Sequence, residues 1–439
     1  MSSRSTWASQ IGFILSSVGA AVGLGAIWKF PYLAGSNGGS AFFFPYMILT
    51  FTVGLVLLIA EIAVGRGAGI STVPGFRRLG GMKYVPWAYV AVATGFGIMC
   101  FYSAVGGWTI AYFIDALLGN AAVADKSALS AHFGSLVSNP VHAIGFQMLF
   151  LLFTALVVNR EISSGIERMN KVLLPTFFLL MIVIIVRGVT LPGAEKGIVY
   201  LFSWHPEAFT WQSLLAAMGF MFFSLCVGCG VIFTYGSYLS KEAHVMKNSI
   251  WVLALSLLSS IMGGLMIMPA VFAFGLDPAG GPDLTFITMP IVFSKLPFGN
   301  FFAALFYLCL VFAALTSAVS ILEMCVAHCV DELHANRVKS TVVLTVLMMM
   351  IGSLCALSFG PLADVKIFGR TFFDNFDFLT SNLGMPIGGL VICALAGVTS
   401  WKMVQGDLKL SGALSAAFRF ILTVLCPVVI LTVLVTGLL

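Results

Sequence analysis

Apolar residues run through this chain in blocks of about twenty, separated by short polar or charged segments. A helix rises about 1.5 Å per residue, so each block matches the roughly 30 Å of hydrocarbon in a bilayer. Eleven spans are predicted, over residues 11–33, 40–65, 84–118, 143–159, 170–190, 212–239, 247–275, 299–330, 339–359, 376–400 and 413–438. The expected fold class is an all-α polytopic membrane protein, a single transmembrane domain over residues 1–439.

Two blocks hold residues that a spanning helix disfavours. Span 1 contains "VGAAVGLGAIWKFP", with Gly19, Gly23 and Gly25 followed by Lys29 and Pro31, and span 6 contains "FFSLCVGCG", Phe222 to Gly230. Glycine and proline weaken helices, and freed backbone amides are costly in hydrocarbon unless they line a cavity. Spans 1 and 6 lie five apart. Residues 11–190 and 212–400 are therefore expected to be two inverted copies of one five-helix unit, with 413–438 as an extra span. Gly-interrupted segments at matching positions of two halves point to a transporter's binding site. Close helix packing is the plainer use of such glycines and explains either span alone. It explains the matched pair less well.

Composition sets the environment. With 60% hydrophobic and 9% charged residues and a mean hydropathy of +1.05, a soluble domain is excluded. No cleavable signal peptide is expected, because the first apolar run continues through its glycine-rich part with no small-residue cleavage site. The net charge of +5 offers no argument for nucleic acid. A cytoplasmic N-terminus leaves all of the 22 Lys and Arg on that side except Lys29, Lys126, Arg187, Lys196, Lys295, Lys366 and Arg370. That bias follows the positive-inside rule and, with an odd number of spans, puts the C-terminus outside.

The nine cysteines lie almost wholly within apolar runs and read as small buried hydrophobes rather than a disulfide framework. Cys226 and Cys229 form a C-x-x-C, but no second pair or nearby histidine completes a metal site. An enzyme is not expected: no phosphate loop, metal cluster or nucleophile with an aligned base is present, and the six histidines are scattered.

The motifs, taken in order, are specific. "WASQIGFILSSVGAAVGLGAIWKFPYLAGSNGGSAFFFPY" resembles the opening of the neurotransmitter:sodium symporter family. The resemblance continues through "AEIAVGR", "FYSAVGGWT", "SSGIERMNKVLLP", "GFMFFSLCVGCGVIFTYGSYL", "AALTSAVSILE", "VDEL" and "FDNFDF", over nearly the whole chain. It implies a LeuT-like fold with helices 1 and 6 broken mid-membrane, and a Na⁺-driven amino-acid symporter working by alternating access. The implied setting is a bacterial cytoplasmic membrane, with the protein a monomer or weak homodimer among lipids.

Residue roles follow from the resemblance only where this chain matches. For Na⁺ they are carbonyls of Gly19, Val22 and Ala313 with hydroxyls of Thr316 and Ser317. The i+3 and i+4 spacing puts the last two on one helix face with Ala313, and hard cations take oxygen ligands. Without the family context, both hydroxyls would be read as bonding back to their own helix.

The family's second ion site is expected to be lost. Ala21 and Ser224 remain there, but Ala26 and Leu255 replace two amide side chains. One Na⁺ per substrate is therefore expected. Chloride dependence is not, because Phe220 stands where a glutamine is needed, although Tyr46, Ser224 and Ser259 are present.

For the substrate, the resemblance implies that Tyr102 and the N–H groups of Leu24 and Gly25 hold a carboxylate. Carbonyls of Ala21, Phe223 and Ser224 would take the ammonium, with side-chain walls from Ile98, Phe223, Cys226, Cys229, Ser317 and Ile321. Gly23 occupies the place of an aspartate found in monoamine transporters. The implied gates are Lys29 with Asp377 outside, and Arg4 with Asp331 inside, Trp7 packing nearby.

Glu323 has no role implied by the family. An acid within an apolar span is a functional suspect, either a partner for a nearby polar group or a proton carrier. Two other readings stay open: coupling shifted to protons, and a sensor that binds an amino acid without carrying it.

Overall fold

The computed structural model describes residues 6–279 and 284–438. Among these, nine helices are long and apolar enough to cross a bilayer. They are Ser40–Ala68 (span 2), Met82–Leu117 (span 3), Pro140–Val158 (span 4), Ser163–Val189 (span 5), Val245–Ala273 (span 7), Gly299–Glu332 (span 8), Arg337–Phe359 (span 9), Phe372–Thr399 (span 10) and Gly412–Leu438 (span 11). Span 1 is a bent pair, Gln10–Ala21 and Gly25–Ser36, with 48° between its halves. Span 6 is split into Trp211–Leu225 and Val231–Gly236, each too short to cross alone. The eleven expected spans are thus all present as helical elements, and the two glycine-rich stretches are where spans 1 and 6 break.

Side chains at the helix ends explain several boundaries. Ser9 caps span 1 by accepting from the Gly12 N–H. Thr210 and Ser213 cap each other's backbone at the start of span 6, and Asn336 accepts from Lys339 at the start of span 9. Such caps satisfy amides that the helix leaves open.

Span 5 begins at Ser163, seven residues before its expected start at 170. Glu167 and Arg168 make that turn look like a loop. Yet Glu167 is 1% exposed because it bonds the N-terminal segment: its carboxylate accepts from the Ala8 N–H at 2.8 Å and the Ser9 hydroxyl at 2.7 Å.

Burial sorts the spans. In spans 3 and 8 the most apolar stretch is 72% buried inside the protein, against 28% in span 5 and 22% in span 11. Spans 3 and 8, with span 2 at 67% and span 7 at 61%, form the inner layer, and spans 5 and 11 lie outside it. The broken spans are tied to this inner layer by cross-span hydrogen bonds. Leu24 N–H donates to the Tyr102 hydroxyl (span 3), Ser317 (span 8) donates to the Gly19 carbonyl, and Tyr235 donates to Ser320 (span 8). In lipid such polar contacts and close packing, not water exclusion, hold helices together.

Outside the spans, the helix Lys126–Ser138 rests on the end of span 3 through His132 Nε2 and Asp115 Oδ2, 2.9 Å apart. The hydrogen bond to Asp115 raises the His132 pKa above its ordinary value, against a smaller opposing effect of burial. A raised folded-state value means that this contact stabilises fully below the ordinary histidine pKa of about 6.5. The contribution is lost as pH rises through the raised value. Hydrogen exchange of residues 126–138, corrected for intrinsic rates, should therefore show protection falling as pH increases above about 6.5. His132→Asn should remove that pH dependence, and protection independent of pH in the native protein would refute it.

Candidate substrate and ion site

The break in span 1 starts where its first half ends at Ala21. Val22 closes that half, its N–H donating to the Val18 carbonyl at 2.7 Å. Leu24 then turns its N–H to the Tyr102 hydroxyl at 3.2 Å. Glycine at 23 is required by proximity: a Cβ there would lie 2.5 Å from Ser317 Oγ and 2.9 Å from the Tyr102 hydroxyl. An aspartate cannot be accommodated at that position without moving both.

The break in span 6 is more contorted. Cys226, Gly228 and Gly230 all have positive φ, at 54°, 84° and 81°. For a residue with a side chain that left-handed geometry costs about 1–2 kcal/mol. Gly228 also lies against the Met385 carbonyl and Gly389 of span 10, where a side chain would clash. Glu61, fully buried in span 2, bonds the break directly. One carboxylate oxygen accepts from the Gly228 N–H at 2.9 Å and the other from the Phe233 N–H at 3.3 Å.

Between the breaks lies a cavity of about 40 Å³, bordered by Ala20, Ala21, Gly23, Leu24, Gly25, Ile98, Tyr102, Phe223, Cys226, Ser317, Ile321 and Met385. One residue expected in its walls is elsewhere. Cys229 is fully buried behind Cys226, because the left-handed turn at 226 rotates it away from the cavity. Its sulfur is 3.5 Å from that of Cys226 and 3.3 Å from the Cys226 carbonyl. The Ser224 side chain also points away, its hydroxyl donating to the Met221 carbonyl at 3.1 Å and accepting from Tyr46 at 3.3 Å. Met385 and Ala20 border the cavity and were not anticipated.

Gly19 and Ala313 are brought together with Thr316 and Ser317. Ser317 Oγ donates to the carbonyls of Gly19 at 2.9 Å and Ala20 at 3.1 Å, crossing from span 8 to span 1. Thr316 Oγ1 donates back to Ala313 of its own helix at 3.0 Å. Both hydroxyl oxygens keep lone pairs for a further partner. Asn170 of span 5 adds an unanticipated oxygen: its Oδ1 has no hydrogen-bond partner among the described residues. It lies 2.7 Å from where a Gly19 Cβ would be.

At the second ion position Ala26 and Leu255 are apolar as expected, and Leu255 packs on the core. Ser260, not Ser259, faces Tyr46. The Tyr46 hydroxyl is 3.3 Å from Ser260 Oγ, whereas Ser259 donates to the Ser256 carbonyl. Phe220 packs its ring 5.0 Å from that of Tyr46.

Beyond Phe223 opens a vestibule of about 390 Å³ with Trp28, Lys29, Tyr32, Phe101, Trp108, Phe373, Asp374 and Asp377 in its walls. Lys29 and Asp377 both border it, but they form no ion pair. Lys29 Nζ sits 4.3 Å above the Phe223 ring, and Asp377 accepts from Ser381 at 2.8 Å.

The opposite side is bonded shut. Trp7 donates to the Tyr235 carbonyl at 3.0 Å, and Asp331 accepts from the Ser71 N–H at 2.8 Å. Arg4 lies outside the described residues. Glu323, fully buried, accepts from Tyr238 at 2.9 Å and from Arg337 at 2.5 and 3.1 Å. Arg337 also donates to the carbonyls of Val158 and Arg160. Of the two readings of Glu323, this is the geometry of a polar partner.

The family model for the sodium:neurotransmitter symporter family matches residues 4–128 and 138–439. The chain belongs to that family. An uncharacterized sodium-dependent transporter of Bacillus subtilis (strain 168), YhdH, is 39% identical over 387 residues, which cover 88% of this chain and 86% of that protein. An uncharacterized sodium-dependent transporter of Haemophilus influenzae is 31% identical over 455 residues, covering 99% and 98%. Among solved structures, MhsT in complex with L-phenylalanine superposes with a TM-score of 0.91 at 35% identity, covering 99% of this chain and all of that one. This symporter therefore has the LeuT-like fold expected from its motifs, and it is a sodium-dependent transporter rather than an enzyme.

The buried charges around Arg337 give this symporter a testable weak point. Removing one partner of a buried pair leaves the other charge uncompensated, at a cost on the order of 3–5 kcal/mol. Arg337→Ala strands Glu323 with Tyr238 alone, and should lower the thermal midpoint of the detergent-solubilised protein by several degrees. Arg337→Lys should recover part of the loss. Equal midpoints for Arg337→Ala and the native protein would show that the pair is not structural.

Proposed function

We propose that this symporter imports a zwitterionic amino acid with a hydrophobic or aromatic side chain, driven by one Na⁺ per substrate through alternating access. The observation that carries this reading is the meeting of the Tyr102 hydroxyl and the Leu24 N–H at an apolar cavity with no acidic or basic side chain in its lining. A carboxylate placed there accepts from Tyr102 and from the amides of Leu24 and Gly25 at the head of the second half of span 1, where the helix dipole favours anions. Carbonyls of Ala21, Phe223 and Ser224 take the ammonium. Gly23 leaves no counter-ion for an amine lacking a carboxylate. The solved relative in complex with L-phenylalanine supports the aromatic end of the substrate range.

Na⁺ is held by carbonyls of Gly19, Val22 and Ala313 with the Thr316 and Ser317 hydroxyls, whose protons swing off the carbonyls they now bond. Nothing replaces the amide oxygens missing at Ala26 and Leu255. Chloride is not required, because Phe220 closes that position with a hydrocarbon ring. The N-terminus lies in the bacterial cytoplasm and the C-terminus outside. Residues 11–190 and 212–400 act as the two inverted repeats. The vestibule with Lys29 and Asp377 then faces outward, with Phe223 between it and the substrate. Lys29 and Asp377 close over the substrate as the Trp7, Asp331 and Arg4 side opens. The protein works as a monomer or weak homodimer. Engagement of Glu323 by Arg337 and Tyr238 leaves a proton-carrying role without motivation.

One ion is enough to concentrate substrate. A charge crossing 100 mV contributes about 2.3 kcal/mol, and a tenfold Na⁺ gradient about 1.4 kcal/mol more. The sum corresponds to several hundredfold accumulation. Labelled L-phenylalanine uptake into proteoliposomes should need a Na⁺ gradient, and the reversal potential should give one Na⁺ per substrate. A reversal potential demanding two ions would overturn the stoichiometry. Uptake indifferent to Na⁺ would overturn the coupling, and substrate binding without flux would favour a sensor.

Tyr102→Phe should weaken amino-acid binding by roughly 10- to 100-fold, the equivalent of one charge-assisted hydrogen bond of about 1.5–3 kcal/mol. Na⁺ binding in the absence of substrate should persist. Native affinity in this variant would refute the carboxylate assignment.

A further inference from the structure

Cys226 and Cys229 bracket the break in span 6. Cys226 ends the first half of the span in a left-handed conformation, and Cys229 lies two residues before Val231 begins the second half. Their sulfurs are 3.5 Å apart. Cys226 borders the central cavity, and no other cysteine borders either that cavity or the vestibule. We propose that this pair is a dithiol–disulfide modification site, oxidised by a small hydroperoxide entering the substrate cavity, and that the disulfide arrests transport. The second clause rests on the transport reading above; the first does not.

The roles of the two sulfurs follow from their access. Cys226 is the one a solute can reach, and Cys229, fully buried behind it, is the resolving thiol. A cavity of about 40 Å³ takes only a few water-sized molecules, since one water needs roughly 10–15 Å³ by the same measure. Hydrogen peroxide fits without the widening of the cavity that the amino-acid substrate requires. In the first step the Cys226 thiol sulfur attacks a peroxide oxygen. The O–O bond breaks, Cys226 becomes a sulfenic acid, and the departing hydroxide takes the thiol proton as water. In the second, Cys229 sulfur attacks Cys226 sulfur, the S–S bond forms, the S–O bond breaks, and a second water leaves. Two thiols lose two electrons and two hydrogens, and one peroxide becomes two waters.

The product reshapes the site. An S–S bond is about 2.05 Å long, so the sulfurs close by about 1.5 Å. Cys226 is thereby drawn out of the cavity wall, and its carbonyl loses the thiol donor that Cys229 now provides at 3.3 Å. The two ends of the break become covalently joined, so its backbone cannot re-pitch as the halves of span 6 move.

The test uses the full-length protein in proteoliposomes, treated with hydrogen peroxide and then alkylated. Mass analysis of the segment spanning residues 222–237 should show loss of two hydrogens and no alkylation at 226 or 229. L-Phenylalanine uptake should fall at least tenfold and return on reduction with dithiothreitol. Cys226→Ser, which removes both steps, should keep its own untreated rate of uptake under peroxide. If that variant does not fold, reversal by dithiothreitol in the native protein decides the point. Free, alkylatable thiols at both positions after treatment would overturn the modification site, whether or not any uptake had been measured. A disulfide formed without loss of uptake would overturn its control of transport. Equal inactivation of the native protein and Cys226→Ser would assign the effect to other residues and overturn it too. Absence of uptake before treatment would fault the transport reading alone, and the mass readout would still stand.

Discussion

A stretch of backbone that is not helical, held in the interior of a membrane protein, needs its amides bonded, and Glu61 meets that need in span 6. Unsatisfied N–H groups in hydrocarbon cost several kcal/mol each. Glu61 takes two of them, one oxygen on the break at Gly228 and the other on the first turn of the second half at Phe233. The left-handed turns at Cys226, Gly228 and Gly230 persist because that anchor and the packing against span 10 fix them. Span 1 solves the same problem with neighbours instead of a charge: Tyr102 from span 3 at Leu24, and Ser317 from span 8 at Gly19 and Ala20. The two breaks thus answer to spans 2, 3, 8 and 10. A shift of any of these changes the cavity between them.

The two sides of that cavity are unequal. On the Trp7 side, direct hydrogen bonds link Trp7 to Tyr235, Tyr235 to Ser320, Tyr238 to Glu323, and Ser9 to Glu167. On the other side, Lys29 and Asp377 border an open vestibule, and only the Phe223 ring with Lys29 above it covers the cavity. On the proposed reading, opening the bonded side breaks these contacts, and a ligand shifts that equilibrium only by its differential affinity for the two states.

Much of this was legible in the sequence, for identifiable reasons. Long apolar runs and glycine clusters are composition signals, so the spans and both breaks could be read directly. Gly19, Thr316 and Ser317 were legible only through the family resemblance, since spacing alone reads both hydroxyls as bonding back to their own helix, as Thr316 does. Cys229 falls outside the cavity lining because a left-handed residue at 226 breaks helical periodicity, and nothing in a cysteine announces that conformation. The same limit applies to Ser259 and Ser260, adjacent serines whose facing depends on helix phase. Glu61 was quoted within "AEIAVGR" without a role. The signal that singled out Glu323, an acid within an apolar span, applied equally to it. Glu167 hid its burial behind a charged turn, and Met385 carries no signal beyond apolarity.

Charge balance ties the ion to the substrate on the proposed reading. The lining of the central cavity holds no acid or base, and the residues proposed for Na⁺ offer only carbonyls and hydroxyls. The substrate carboxylate then supplies a negative charge that neither set of groups carries. Opposite charges at neighbouring sites attract, and they do so more strongly in the protein interior than in water. Binding linkage is reciprocal, so the amino acid strengthens Na⁺ as much as Na⁺ strengthens the amino acid. An amine without a carboxylate forfeits both the Tyr102 contact and this coupling. Gly23, pressed between Ser317 and Tyr102, leaves no space for the protein to supply the missing charge itself. Selection for a zwitterion and coupling to the ion are consequences of one arrangement of uncharged groups.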